Sequence, residues 1–266
     1  IDYIVTTGAN LYHDLHHSLD LPLTQGTPFV NDNELFENDI IRIYDIFMDY
    51  EVLAATDNWL MRTFSRPEFQ KRMGTRELHY LLGKFAAEVE QERGTVGKSF
   101  IAEAYRYEVP IYTSSPGDST LGLDIAALNL VGKDIHIDSS IDVNETAALV
   151  LEAKRIGKSG VVVWGGGSPK NFILQPEPAL QEVLGFDIKG HDYFVQVTDA
   201  RPDTGGLSGA TPNEAVSWAK IDPDTVNQSV VCYSDTTIVM PLLTAYLESC
   251  GIRRDPKRLY KKLPKL

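Results

Sequence analysis

Short apolar runs of strand length alternate with longer stretches of helical spacing along nearly the whole chain, and few folds can absorb that pattern. Gly160-Val-Val-Val-Trp164 is a continuous apolar run closed by Gly165-Gly166-Gly167. Such a run is expected of a strand buried on both faces. Residues 4–7, 109–113, 135–137, 193–197 and 230–233 repeat the signal in shorter form. Between them, residues 49–66, 75–93, 121–130, 143–156 and 236–249 carry apolar side chains at helical intervals, and Gly157 stops the fourth. Strands alternating with helices of about 10–15 residues predict an α/β fold, a parallel sheet with helices on both faces. No repeat, low-complexity tract or Gly/Pro/Ser-rich linker interrupts the 266 residues. One domain over residues 1–266 is therefore expected, with residues 23–38 as its longest loop. The chain opens at Ile1 inside a strand-like run, which reads as a fragment that lacks its N-terminal segment.

Charge narrows the partners. The formal net charge is −12, which is unfavourable for duplex nucleic acid, because phosphate binding needs a basic face. Residues 253–266 hold seven bases and one acid, and the body holds 18 bases and 36 acids, so a +6 tail follows a −18 body. That division has two readings: a solvated surface with a docked or mobile tail, or an acidic body that gathers small cations. No apolar stretch approaches the roughly 18 residues of a membrane span, and no signal peptide is visible. Two cysteines, Cys232 and Cys250, are too few for a disulfide framework. A reduced, cytoplasmic setting without membrane attachment is expected.

In open parallel sheets ligands gather beyond the carboxyl ends of the strands. Four predicted strand ends carry small or polar residues: 6–10, 165–171, 199–209 and 234–237. Small residues let the backbone approach phosphates, N–H groups at helix starts favour anions, and an Asp can accept from ribose hydroxyls. These segments are either ordinary turns or one nucleotide-binding rim. Neither GxGxxG nor GxxxxGK[ST] occurs.

A second focus is the segment from Asn213 to Ile221. Glu214 and Trp218 are four residues apart and would share a helix face, offering a carboxylate and a π surface to an ammonium group. Lys220 closes the segment. It is either a surface lysine at a helix end or a desolvated amine that serves as a nucleophile for imine chemistry. His13, His16 and His17 cluster without the spacing of a zinc site, so no metal is expected. His79, His136 and His191 are isolated and read as structural, and both cysteines as inert.

Glu214-Ala-Val-Ser-Trp-Ala-Lys-Ile221 closely resembles the EAVSWGKI signature of the deoxyhypusine synthase family. Thr7-Gly8 and residues 114–122, 165–170 and 235–242 are similar to its other blocks in order and spacing, so the resemblance runs from about Thr6 to about Tyr246. It implies a Rossmann-like fold that binds NAD and a homotetramer with active sites at dimer interfaces. It implies that Lys220 is the nucleophile and that Glu214 and Trp218 contact a polyamine. Thr6, Thr7, Gly8, Asp118, Thr204, Gly205, Ser208, Asp235 and Thr236 correspond to, or adjoin, nucleotide contacts.

Departures from the pattern matter equally. Where eukaryotic members carry a histidine after the glycine block, this chain has Asn171, which cannot take a proton at neutral pH. Two amine-binding aspartates fall at Leu123, with Asp124 adjacent, and at Leu207. A nucleotide-contacting Asp falls at Thr204, beside Asp203, and the glycine before the lysine is Ala219. This pattern resembles the bacterial deoxyhypusine synthase-like branch. Asn171 and Asp124 join Glu214 and Trp218 as expected substrate contacts. The resemblance implies NAD-dependent transfer of an aminobutyl group from spermidine to a lysine of an acceptor protein, a translation factor 5A-like partner, through a Lys220 imine. A free polyamine acceptor such as putrescine, giving homospermidine, is the alternative. A catalytically silent NAD- or polyamine-binding protein is a third.

Overall fold

The computed structural model describes residues 1–263, and the chain divides into two units, Ile1–Asp138 and Ser139–Leu266. The last three residues of the basic tail lie outside the described residues.

The first unit begins with β1 (Ile4–Thr6) and α1 (Gly8–Ser18), then β2 (Thr24–Gln25), α2 (Asp32–Glu37), β3 (Ile40–Ile43), β4 (Ile46–Asp49) and α3 (Tyr50–Phe64). It continues through β5 (Arg72–Met73), α4 (Thr75–Arg93), α5 (Phe100–Tyr107), β6 (Ile111–Thr113), α6 (Thr120–Leu130) and β7 (His136–Ile137). β1 pairs in parallel with β6, and β5 with β7. β2, β4 and β3 form an antiparallel sheet. β2 and α2 occupy part of residues 23–38, expected to be loop, because β2 pairs with β4, Asn31 caps α2 and Arg42 pairs with Asp32. The helices close over one core, in which Leu11 and Leu15 of α1 join Leu60 and Phe64 of α3, Leu82 and Phe85 of α4 and Ile101 of α5. Each fully buried side chain of this size contributes about 1.5–3 kcal/mol of transfer free energy. His79 is buried in the same layer and hydrogen-bonds the Ile111 carbonyl at 2.9 Å. His13 and His16 meet ring to ring at 3.1 Å, with His16 Nδ1 2.9 Å from Thr56 Oγ1.

The second unit starts with α7 (Ser139–Ile156) and β8 (Gly160–Trp164), followed by α8 (Gly167–Leu174), the single turn α9 (Pro176–Pro178) and β9 (Tyr193–Thr198). After β9 come α10 (Pro212–Ser217), β10 (Val230–Tyr233), α11 (Thr236–Ser249) and α12 (Leu259–Lys262). The three strands form one parallel sheet in the order β10-β9-β8, so the chain is α/β with parallel strands. Val161, Val163 and Phe194 bury one face of it against Leu174, Ala215 and Ile221. The expectation that β8 is buried on both faces is corrected: Val162 is 53% exposed. Successive side chains of a strand point to opposite faces, and α8 and α10 supply partners to one face only within this unit. α11 is apolar yet has no buried residue. No helix among the described residues is long and apolar enough to cross a membrane.

Candidate active site

Lys220 owes its position to the way α10 stops. Thr211 caps the helix start by accepting from the Glu214 N–H at 3.2 Å, and Pro212 supplies the fixed φ that suits the first turn. The helix ends at Ser217, so Trp218 is its cap residue rather than a member of a shared helical face with Glu214. Beyond it, the Ala219 N–H donates to the Val216 carbonyl at 2.9 Å and the Lys220 N–H to the Ala215 carbonyl at 3.0 Å. These two bonds form a Schellman motif, whose turn residue adopts a left-handed conformation. Ala219 does so, with φ of 56°. Buried Ala215 and Ile221 bracket the turn, and the Lys220 carbonyl accepts from the His191 N–H at 3.0 Å. The backbone on both sides of Lys220 is thus fixed.

The Lys220 side chain is half-buried. Its Nζ donates to Asn171 Oδ1 at 2.8 Å and lies 5.6 Å from the centre of the Trp218 ring. Burial lowers its pKa below the usual lysine value, because desolvation penalises the ammonium form. Trp218 is 63% exposed and Glu214 is exposed, leaving both accessible to a ligand.

Asn171 sits on α8, whose start is tied to the loop after β9. The Gly167 N–H donates to Ser208 Oγ at 2.9 Å. A Cβ at Gly166 would lie 2.7 Å from Ser208, so only glycine permits this approach. Lys170, unmarked as a site residue by the sequence, is 4% exposed. Its Nζ donates to Gln196 Oε1 at 2.9 Å and to the carbonyls of Ser208 and Ala210 at 3.3 and 2.7 Å. Gln196 Nε2 in turn donates to the Gly165 and Ser208 carbonyls, each at 2.8 Å. Burial pushes the Lys170 pKa down to about 8, opposed by Glu214 and assisted by Lys220. The signal that could have found this clamp was Gln196, a polar residue at an inward position of an apolar strand.

The remaining nucleotide candidates of this unit line two segments. Thr204 and Gly205 lie on an exposed turn, Thr204 Oγ1 donating to the Arg201 carbonyl at 2.8 Å. Asp203 pairs with Arg201, its Oδ1 accepting from Nε at 2.9 Å. Asp235 caps α11, accepting from the Thr237 hydroxyl at 2.6 Å and the Thr237 N–H at 2.7 Å, which together hold its carboxyl below the usual range, and Thr236 is the first residue of that helix. On α9, Glu177 is fully buried 3.4 Å from His191 Nδ1, and burial raises its pKa to about 8.

In the first unit, Thr6 ends β1 and Thr7 caps α1, the two hydroxyls accepting from the Asn10 side chain at 3.1 Å and the Asn10 N–H at 3.2 Å. Gly8 packs so closely on the next helix start that a Cβ would lie 2.2 Å from Ser119 Oγ. Asp118 is exposed, one residue before Ser119, the cap of α6. Gly8, Thr113, Gly117, Ser119 and Gly122 help line a cavity of about 260 Å³. Asp124 faces inward on α6. Burial and the Asp57 carboxylate push its pKa up to about 7, and Asp57 accepts from Tyr12 Oη at 2.6 Å. Leu123 beside it is 64% exposed.

The family model for deoxyhypusine synthase matches residues 1–247. A deoxyhypusine synthase-like protein of Nostoc punctiforme is 56% identical over 263 residues, covering 98% of this chain and 67% of that protein. A protein of Methanosarcina acetivorans named "probable deoxyhypusine synthase 2" is 41% identical over 243 residues, covering 91% of this chain and 67% of its own. The chain therefore spans about two thirds of the length of these curated relatives. A crystal structure described as a candidate deoxyhypusine synthase from Entamoeba histolytica superposes with a TM-score of 0.53 at 17% identity, over 97% of this chain and 67% of that one, a likeness of fold.

Proposed function

We propose an activity from a single premise: the chain belongs to the deoxyhypusine synthase family. The reading is a transferase that moves an aminobutyl group from spermidine to an acceptor amine through an imine on Lys220. The observation that carries it is the setting of the Lys220 amine, half-buried and hydrogen-bonded to an amide oxygen. An amine so desolvated reaches its neutral, nucleophilic form at lower pH than a solvated lysine.

In this reading the Lys220 nitrogen adds its lone pair to the imine carbon of the oxidised donor. The π pair passes to the donor nitrogen, which takes up two protons in all, matching the two that the Lys220 nitrogen gives up between amine and imine. That nitrogen then leaves with its bonding pair as diaminopropane, and Lys220 holds the aminobutyl unit as an imine. The acceptor amine repeats the exchange and frees Lys220. NAD, when bound, would supply the hydride chemistry that no side chain can, taking a hydride from the donor and returning one to the product. The close approach at Gly8 and the helix starts capped by Thr7, Ser119 and Asp235 suit phosphates and ribose hydroxyls. Thr6, Thr7, Gly8 and Asp118 of the first unit, and Thr204, Gly205, Ser208, Asp235 and Thr236 of the second, are the residues proposed to hold it. Glu214 and Trp218 take the ammonium end of the polyamine, and Asn171 lies beside the reacting nitrogen. The acceptor is a lysine of a translation factor 5A-like protein, and the working form a homotetramer, which light scattering on the full protein would measure.

One observation favours a second reading, with putrescine as acceptor and homospermidine as product. The positions at Leu123 and Leu207 present exposed apolar side chains, and the neighbouring Asp124 is buried with a carboxyl that titrates near 7. An ammonium group finds no ready carboxylate there, which fits a changed substrate.

Incubation with NAD and labelled spermidine followed by borohydride is expected to trap an adduct on Lys220, and Lys220→Ala to lose it while still binding NAD. Absence of an adduct on a parent protein that binds NAD would overturn both readings in favour of a silent binding protein. Added putrescine separates the two: released labelled homospermidine supports the second, labelled acceptor protein the first.

A further inference from the structure

We infer that Asn171 is the positioning residue of the Lys220 amine: its side-chain oxygen holds one N–H of Nζ and so fixes where the nitrogen lone pair points, without supplying a base. This rests on the reading of Lys220 as the nucleophile. A lysine tip has four torsions behind it and would otherwise sample many orientations. Here the backbone is held on both sides by the Ala215 carbonyl and the His191 N–H. The Trp218 ring lies 5.6 Å from Nζ, and the amide oxygen sits at 2.8 Å. Asn171 is itself held, because its own carbonyl accepts from the Gln175 N–H at 3.0 Å within α8.

The choice of an amide has a chemical consequence. A carboxylate in this place would lock Lys220 as an ammonium, since an opposite charge within about 4–6 Å raises a lysine pKa by roughly 1–3 units. An amide oxygen accepts the same N–H with no net charge, so the amine can be both oriented and neutral. The charged and titratable groups around Lys220 are then Lys170 on α8, Glu214 on α10, and His191 and Asp222, whose backbones flank its own. Below about pH 8 Lys170 is a buried cation that disfavours a second one nearby, and its three acceptors engage all three N–H groups of that ammonium form, which carries no lone pair with which to act as the base. The proton of the Lys220 ammonium therefore leaves to solvent or to an incoming amine, and the rate of attack follows the fraction of neutral Lys220.

The test uses the full-length protein and two reagents. Butanal with cyanoborohydride alkylates Lys220 without NAD, and peptide mass spectrometry gives the extent at each pH from 6 to 10. Borohydride trapping with NAD and spermidine gives the rate of productive attack. Asn171→Asp is expected to raise the pH midpoint of butanal labelling by at least one unit, whereas Asn171→His, which keeps an acceptor and adds no negative charge, leaves it within half a unit. Asn171→Ala, which adds no charge beside Lys220, is expected to slow spermidine trapping at least tenfold relative to the parent at the high-pH end of the range, where the neutral amine is most populated in both. An unmoved midpoint in Asn171→Asp, or parent-like trapping in Asn171→Ala, would overturn the role. Should Asn171→Asp not fold, the Ala and His variants still decide. A parent protein that takes butanal on Lys220 but never traps spermidine refutes the transferase reading alone, and the labelling midpoints still judge Asn171.

Discussion

Ala219 holds a left-handed backbone, φ 56°, at the turn residue of a Schellman motif. A Cβ in that region costs about 1 kcal/mol relative to glycine, and the turn sets the entry of Lys220 into its site. Ala219→Gly is expected to raise stability by about 0.5–1 kcal/mol, seen as a higher urea midpoint with unchanged slope. A drop in stability would show that the Ala219 methyl contributes packing that outweighs the strain. The sequence shows a lysine two residues past a tryptophan, but not that an alanine pays for the bend between them.

At the scale of elements, the site depends on loops brought within contact of strands. Lys170 and Gln196 join the glycine turn after β8 to the segment after β9 through five hydrogen bonds. Lys170→Met keeps the apolar stem and removes the donor from Gln196 Oε1 and the Ala210 carbonyl, at a cost of about 2–4 kcal/mol for the two acceptors. Hydrogen exchange in residues 201–211 is expected to accelerate in that variant more than exchange in β8 and β9. Equal acceleration everywhere would mean global destabilisation and no clamp. Gly190 offers a second case, because a Cβ there would lie 2.5 Å from the Ile221 backbone and 2.7 Å from the Lys220 carbonyl carbon. Backbone cannot yield as a flexible side chain can. Gly190→Ala should therefore displace the His191–Ile221 bridge beside Lys220 and reduce borohydride trapping at least tenfold, while circular dichroism shows helix content retained.

Over the whole molecule, buried ionisable groups set opposing pH dependences. His79 and His191 have folded pKa values of about 4, below the unfolded 6.5. Their contribution is complete above pH 6.5 and is lost as pH falls from 6.5 to about 4. Asp14, Asp124 and Glu177 are raised by burial to about 6, 7 and 8. Their contribution is complete below the unfolded carboxyl pKa, near 4, and is lost as pH rises through those values. Above pH 6.5 only the carboxyls still act among these five, so stability should decline from pH 6.5 to 8.5. Asp124→Asn should flatten part of that decline. Urea melts at pH 5 and 8.5 would measure it, and an undiminished slope in the variant would exclude Asp124 as a source.

Strand and helix order was legible because it is local: the apolar runs at β8, β9 and β10 and the helical spacing of α3, α4 and α11 need only period and breakers. Lys220, Trp218 and Glu214 were legible as a motif for the same reason. What covers a face was not, since the same Val-Val-Val run suits a strand buried on one side or two, and only the packing of α8 and α10 leaves Val162 exposed. Nor was the clamp of Lys170 on Gln196, 26 residues apart, or the hydrogen bond that joins Lys220 to Asn171 across 49. Short-range chemistry and periodicity are written along the chain. The ionisation and aim of a side chain depend on which distant groups are brought within 3 Å of it, and the tertiary structure decides that.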